Sequence, residues 1–220
     1  MTSYPEDAWD LLSPRFSEAR KQKMLAVAAK RTNHIQLVTQ DVHQPHNVSA
    51  CIRSADAFGI LNCHVVTLND TKFRPSTVAR GVSGWLNIDK HETVMGCVDA
   101  LRARGIKLAA GLPTQNAMKL EDIPIDQPIA VIFGNEHAGI DNSWIEHIDY
   151  PFSIPMVGMV ESLNISVSAA ITLQHLRSKA EHELDPAKLY LTSSAQLALL
   201  NKWACQHCAN WKLELEKLRR

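Results

Sequence analysis

The chain has 220 residues, 45% of them hydrophobic and 21% charged, and its 23 basic and 23 acidic side chains cancel to zero formal charge. Such a chain is too apolar and too neutral for disorder. Its nine glycines keep no triplet period, which excludes a collagen-like rod, and no apolar run approaches the roughly 18 residues of a membrane span. The length fits one compact domain with extensions, or two small domains, and buries enough surface to need no disulfide staple. The acidic start, MTSYPEDAWD, has no apolar h-region, so no signal peptide is expected. The cysteine count is odd and Cys51, Cys63 and Cys97 sit in apolar segments, which reads as reduced, buried thiols of a cytoplasmic protein. Net neutrality argues against a generic polyanion binder but leaves room for a local basic face.

Residues 1–34 read as an appendage. Between Arg15 and His34, Arg15, Arg20, Lys21, Lys23, Lys30 and Arg31 accompany a single acid, Glu18, and Met24, Leu25 and Ala28 recur at helical spacing. The pattern predicts one amphipathic helix with a basic face, its plain alternative being a solvated surface helix. From residue 35 short β-branched runs alternate with helical patterns. IQLVT (35–39), CHVVTL (63–68), WLNID (85–89), IKLAAGL (106–112), IAVIFG (129–134) and FSIPM (152–156) read as strands. The continuous apolar runs among them suit strands buried on both faces of a parallel sheet. Helices are expected from an Asn47 cap to Gly59, from Val94 to Gly105, and from Leu163 to Lys179. This alternation predicts an α/β fold with right-handed crossovers. Beyond Asp185-Pro186, residues from Leu197 to Leu218 step by threes and fours, as in one amphipathic helix. The expected organisation is therefore a basic extension (1–34), a core (35–180) and a helical tail (181–220).

Several familiar chemistries are missing. No G-x-G-x-x-G follows a strand, and the loop Gly134 to Gly139 continues with Ile140-Asp141 rather than the Lys-Ser/Thr of a phosphate loop. Gly81-Val82-Ser83-Gly84-Trp85 lacks the last glycine of a nucleophile elbow, and no activated-nucleophile constellation of a hydrolase is visible. Cys205-Gln206-His207-Cys208 has a spacing that can supply half of a zinc site, but no second pair stands at the right spacing and the segment falls in a helical pattern; helix cysteines and no metal are expected.

Three segments concentrate polar residues in apolar surroundings. In His43-Gln44-Pro45-His46-Asn47-Val48-Ser49-Ala50-Cys51-Ile52-Arg53, an arginine in the first half of a helix needs an anion or a route to water, since it keeps its proton. Phe133-Gly134-Asn135-Glu136-His137-Ala138-Gly139 follows a buried strand, where ligands of parallel sheets bind and glycines let backbone come close. Ile154-Pro155-Met156 leads through a loop to Ser162-Leu163-Asn164-Ile165-Ser166, where helix-start N–H donors and side-chain oxygens coincide.

Together these segments resemble the SpoU–TrmH family of RNA 2′-O-methyltransferases, in the trefoil-knotted SPOUT superfamily, and in wording the tRNA guanosine-2′-O-methyltransferase branch. The resemblance spans about residues 35–180, with the three motifs in order. It implies a mostly parallel α/β fold with a C-terminal knot, flanked by helices, and a homodimer with the site at its interface. It implies S-adenosyl-L-methionine held by Ala110, Gly111, Gly134, Ile154, Met156 and Leu163. Arg53 matches the family's central residue, with Asn47, Glu136, Ser162 and Asn164 as its companions in catalysis. Arg20, Lys21, Lys23 and Arg31 are then candidates for phosphate contacts with tRNA, whose D-loop guanosine 18 is the expected target. Ribosomal RNA, another tRNA position, and a non-catalytic RNA-binding role are the alternatives.

Overall fold

The computed structural model describes residues 4–42, 44–68, 81–112, 117–135 and 138–219. In chain order the elements are α1 (Ala8–Leu12), α2 (Glu18–Ala28), β1 (Ile35–Gln40), α3 (Pro45–Ala57), β2 (Asn62–Val66), β3 (Asn87–His91) and α4 (Val94–Arg102). There follow β4 (Lys107–Gly111), β5 (Met118–Lys119), β6 (Ile129–Phe133), β7 (Tyr150–Ser153), α5 (Ile165–Glu183), α6 (Pro186–Leu189), α7 (Ser193–His207) and α8 (Trp211–Leu218). They divide into two compact units: residues 33–189, and the two termini together, 1–32 with 190–220.

The larger unit is built on one sheet in the order β3-β2-β1-β6-β4-β7-β5. Every strand pairing among the described residues is parallel. Every residue of β1, β2 and β6 is buried, as continuous apolar runs require of strands covered on both faces. Strands β6 and β7 are each inserted between strands laid down before them: β6 between β1 and β4, β7 between β4 and β5. Helix α4, capped by Thr93 Oγ1 accepting the Gly96 N–H at 3.0 Å, seats Cys97, Val98 and Leu101 in a cluster with Val38, Val66, Ile106, Leu108, Ile132 and Trp144. Each large side chain buried there contributes about 1.5–3 kcal/mol. Helices α3 and α5 pack along each other and against β1.

In the smaller unit, α1 packs on α7 and α8, and α2 packs on α7. Ala8 and Leu12 meet Ala204, Cys205 and Leu215 in its core. Asn201 joins the termini: its Oδ1 accepts the Trp9 N–H at 2.7 Å and its Nδ2 donates to the Glu6 carbonyl at 2.9 Å. The appendage and the tail, separate in sequence, thus share one core.

Several expected boundaries shift, each for a local reason. The basic helix covers only Glu18–Ala28, because Ser17 Oγ caps it by accepting the Arg20 N–H at 3.3 Å. Helix α3 starts two residues before Asn47, with Gln44 as its cap; Pro45 fits the first helical position, where no N–H is needed. Asn164 rather than Leu163 begins α5, as its cap. The tail is two helices, since Asn210 adopts φ 52° between α7 and α8, a left-handed conformation that asparagine tolerates and a helix does not. Strand β3 lies two residues later than expected, after a short helical turn at Ser83–Trp85. Strand β7 ends at Ser153 instead of running to Met156, where its edge partner β5 ends at Lys119.

Candidate active site

The site of the larger unit forms where β1, β4, β6 and β7 end. Leaving β1, Asp41 turns with φ 45°, and its Oδ1 accepts the Leu68 N–H at 2.8 Å. The Asn135 side chain donates to the Asp41 carbonyl at 2.8 Å, and Gln40 Oε1 accepts the Asp141 N–H at 2.8 Å. These bonds fasten the loop after β6 to the end of β1. Within that loop Asn135 and Gly139 exchange backbone hydrogen bonds of 2.7 and 3.0 Å. The turn is so tight that a Cβ on Gly134 would stand 2.1 Å from the Gly139 carbonyl oxygen. The glycine is therefore obligatory on steric grounds. Gln40 and Asp41 escaped the sequence reading; a polar pair ending an apolar strand was the available signal. Glu136 lies outside the described residues.

Beside this loop is a cleft of about 190 Å³ bounded by Gly111 and Leu112 after β4, Phe133, Phe152, and the segment Ile154, Met156, Glu161, Ser162 and Leu163, with Ser168 of α5. Of the expected cofactor residues, Gly111, Ile154, Met156 and Leu163 line it directly. Ala110 is fully buried next to Gly111, and Gly134 follows the lining Phe133. The walls combine apolar side chains with Ser153, Glu161, Ser162 and Ser168, as suits a nucleoside-bearing ligand held by a few placed polar groups. A Cβ on Gly111 would approach Phe152 Cζ at 3.8 Å, ordinary contact that adds bulk beside the ligand space. The residues present therefore fit an adenosyl group.

Two helices bring the remaining polar residues together. Asn47 is 3% exposed in the first turn of α3, and its Oδ1 accepts a hydrogen bond from Asn164 Nδ2 at 3.3 Å. Asn164 Oδ1 in turn accepts from the Ser166 N–H at 2.8 Å and its hydroxyl at 2.6 Å, capping α5. Arg53 is solvent-exposed on α3, so its charge is solvated rather than buried. The expected link from Ser162 and Asn164 to Arg53 is not formed among the described residues. Asn164 acts on Asn47 instead, and Ser162 is exposed at the cleft.

The basic residues belong to the smaller unit. Arg20 and Lys23 are exposed, with the Arg20 guanidinium 5.4 Å from the Phe16 ring centroid. Lys21 pairs with Glu18, whose carboxyl it holds below the usual range together with Gln22. Arg31 departs from expectation: it is 1% exposed, with its guanidinium 5.7 Å from the Trp203 ring centroid. It is a packed core residue of this unit, not part of a basic surface.

A parallel sheet with two inserted strands, a glycine-bordered cleft at the strand ends and a capped helix beside it define an α/β protein of the SPOUT methyltransferase fold. The SpoU rRNA Methylase family matches residues 34–174, and the chain belongs to that family. It is 31% identical over 178 residues to the tRNA (guanosine(18)-2′-O)-methyltransferase of Escherichia coli K12, covering 81% of this chain and 76% of that protein. The protein of the same name from Thermus thermophilus is 33% identical over 169 residues, covering 74% and 86%. Among solved structures, the Aquifex aeolicus TrmH/SpoU tRNA modifying enzyme superposes with a TM-score of 0.77 at 25% identity, over 86% of this chain and 96% of that one. AviRb from Streptomyces viridochromogenes, a SpoU methyltransferase solved with AdoMet, gives 0.60 at 28% identity, over 69% and 62%.

Proposed function

We propose that this protein transfers a methyl group from S-adenosylmethionine to the ribose 2′-OH of a guanosine in tRNA, at position 18 of the D-loop. The carrying observation is the 3.3 Å bond from Asn164 to Asn47, which ties the helix behind the cleft to the helix bearing Arg53. Relatives named for this reaction at guanosine 18 support the substrate.

When bound, S-adenosylmethionine supplies an electrophilic methyl group on a sulfonium. Gly111, Ile154, Met156 and Leu163 would hold it in the cleft, chiefly through backbone and apolar contact, with Ala110 and Gly134 adjoining the lining residues in the chain. Arg53 binds the target phosphate and stabilises the charge developing on the 2′-oxygen. It keeps its own proton, as guanidinium does in proteins, so the hydroxyl proton leaves to solvent. Asn47, fixed by Asn164, orients the ribose; holding reactants in line is itself worth several kcal/mol, on the order of 7–11 in the best cases. Arg20, Lys21 and Lys23 contribute phosphate contacts, which makes RNA binding salt-dependent.

The reading includes a C-terminal trefoil knot and a homodimer. Val157, Met159 and Val160 are 105%, 100% and 62% exposed in the loop before α5, with Val167 and Ile171 exposed on the helix. Exposed apolar side chains concentrated in one stretch of chain support an association site there. Among the described residues no helix is long and apolar enough to cross a membrane.

The test is transfer of labelled methyl to an unmodified tRNA transcript, beside the same transcript with 2′-deoxyguanosine at position 18. Incorporation lost in the deoxy transcript is the expected result; incorporation retained there would overturn the assigned position. A second substrate to assay is 23S rRNA, since a Bacillus subtilis relative 34% identical over 145 residues is named for guanosine 2553 of that RNA.

A further inference from the structure

At the β3 edge of the sheet, away from the strands that line the cleft, three side chains turn ligand atoms toward one another. His64 on β2, His91 at the end of β3 and Cys97 on α4 hold their donor atoms within 4.8 Å of each other. The parallel register sets Val66 beside His91 and His64 beside Asp89, so His64 and His91 share a face two residues apart on neighbouring strands. The approach of His64 Nδ1 to His91 Nε2 is 3.0 Å. His64 is 2% exposed and Cys97 fully buried.

The orientation of His64 is fixed from behind. Its Nε2 lies 2.9 Å from Gln36 Oε1, and Gln36 Nε2 donates to the Asn33 carbonyl at 3.1 Å. The second bond settles which end of the amide faces the ring, so an acceptor meets Nε2 and that nitrogen carries the hydrogen. The lone pair of Nδ1 therefore points at His91 and the thiol. Metal-binding histidines are held in the same way, with the distal N–H given to an oxygen that fixes the tautomer. Asp89 Oδ2, 3.9 Å from His64 Nδ1, adds a carboxylate at the outer side.

We propose that His64 Nδ1, His91 Nε2 and Cys97 Sγ, completed by the Asp89 carboxylate, bind one zinc-class divalent ion. Tetrahedral zinc takes nitrogen at about 2.0–2.1 Å and sulfur at about 2.3 Å. Its ligand atoms then stand about 3.3–3.6 Å apart, so the two nitrogens part slightly and the thiol closes in. Thiolate with two imidazoles selects zinc over magnesium or calcium. Binding forms two metal–nitrogen bonds, one metal–sulfur bond and one metal–oxygen bond. The hydrogen on His91 Nε2 moves to Nδ1 through solvent, the Cys97 S–H proton leaves to solvent, and no electron is transferred. One proton is released per ion. The ion would clamp β2, β3 and α4 and takes no part in methyl transfer.

The experiment titrates the purified full-length protein with cobalt(II), then displaces it with zinc(II). The C205S/C208S variant is used throughout, which removes the other paired thiols. One cobalt per chain, with a thiolate charge-transfer band and strong visible bands, is expected, and equimolar zinc should abolish both. Absence of the thiolate band at equimolar cobalt overturns the site. The C97S variant should lose the band; a retained band also overturns it. His91 is partly exposed, so H91Q serves if C97S fails to fold: cobalt affinity should drop at least ~10-fold with an unchanged circular dichroism spectrum, and unchanged affinity would refute the ligand set.

Discussion

Asn164 uses the two ends of one side-chain amide for two jobs: its oxygen caps α5 through Ser166, and its nitrogen reaches 3.3 Å to Asn47 Oδ1 on α3. The jobs are separable by substitution. Asn164→Asp keeps a capping oxygen but presents acceptor to acceptor at Asn47. Its stability should match the parent's, because Asp caps a helix about as well as Asn, while kcat for methyl transfer falls. Asn164→Ala should lower both, losing about 1 kcal/mol of stability. Equal kcat in the Asp variant and the parent, from single-turnover assays, would show that the Asn47 link does not serve the reaction.

Arg53 is exposed, so its replacement tests chemistry with little structural cost. Arg53→Ala and Arg53→Lys should unfold within about 0.5 kcal/mol of the parent, as surface substitutions do. Turnover should collapse in both, because the ammonium of lysine lacks the planar fork that grips phosphate in two places. Near-normal turnover in Arg53→Lys would refute two-point positioning and leave a point charge as sufficient.

Two glycines at the cleft should respond in opposite ways. At Gly134 an added methyl meets the Gly139 carbonyl oxygen at 2.1 Å and the Ile140 nitrogen at 2.4 Å. Because the atoms met are backbone of Gly139 and Ile140 and not a flexible side chain, Gly134→Ala should cost folded protein outright, read as a lowered melting temperature and poor recovery. At Gly111 the nearest group is Phe152 Cζ at 3.8 Å, so Gly111→Ala should melt like the parent. Its affinity for S-adenosylmethionine, measured by calorimetry, should weaken. A Gly111→Ala protein with parental affinity would place the ligand elsewhere in the cleft.

Strands dominated by their own apolar content were legible in the sequence: the run at 129–134 is β6, ending one residue early. Elements made by their neighbours were not. Strand β5 is the pair Met118–Lys119, too short to carry a period, and it exists because β7 offers an unpaired edge. The candidate site was legible where a residue type has one steric reason to be present, as with Gly134. It was not legible where the reason lies far along the chain. Arg31 reads as one more cation in a basic stretch, yet Trp203 of α7 covers it. Likewise Asn47 resembles a helix cap, while its bond to Asn164 needs the packing of α3 on α5. The His64, His91 and Cys97 cluster has no motif spacing, because sheet register and not sequence brings it together.

His34 makes a pH prediction with a definite sign. Its ring is 6% exposed and Nε2 lies 2.7 Å from the Ile125 carbonyl. Burial pushes its pKa below the ordinary histidine value, more than the Ile125 bond and the nearby Asp126 raise it. The unfolded chain takes up this proton near pH 6.5; the folded protein refuses it until a lower pH. The contribution to stability is thus present above the unfolded value and is lost as pH falls from there towards the folded one, with a slope of at most about 1.4 kcal/mol per pH unit. His34→Gln keeps an N–H donor for Ile125 and removes the titration. Denaturant midpoints measured from pH 7.5 down to 5 should therefore fall less steeply in His34→Gln than in the parent. Parallel slopes in the two proteins would mean that His34 is protonated in the folded state as readily as in the unfolded chain.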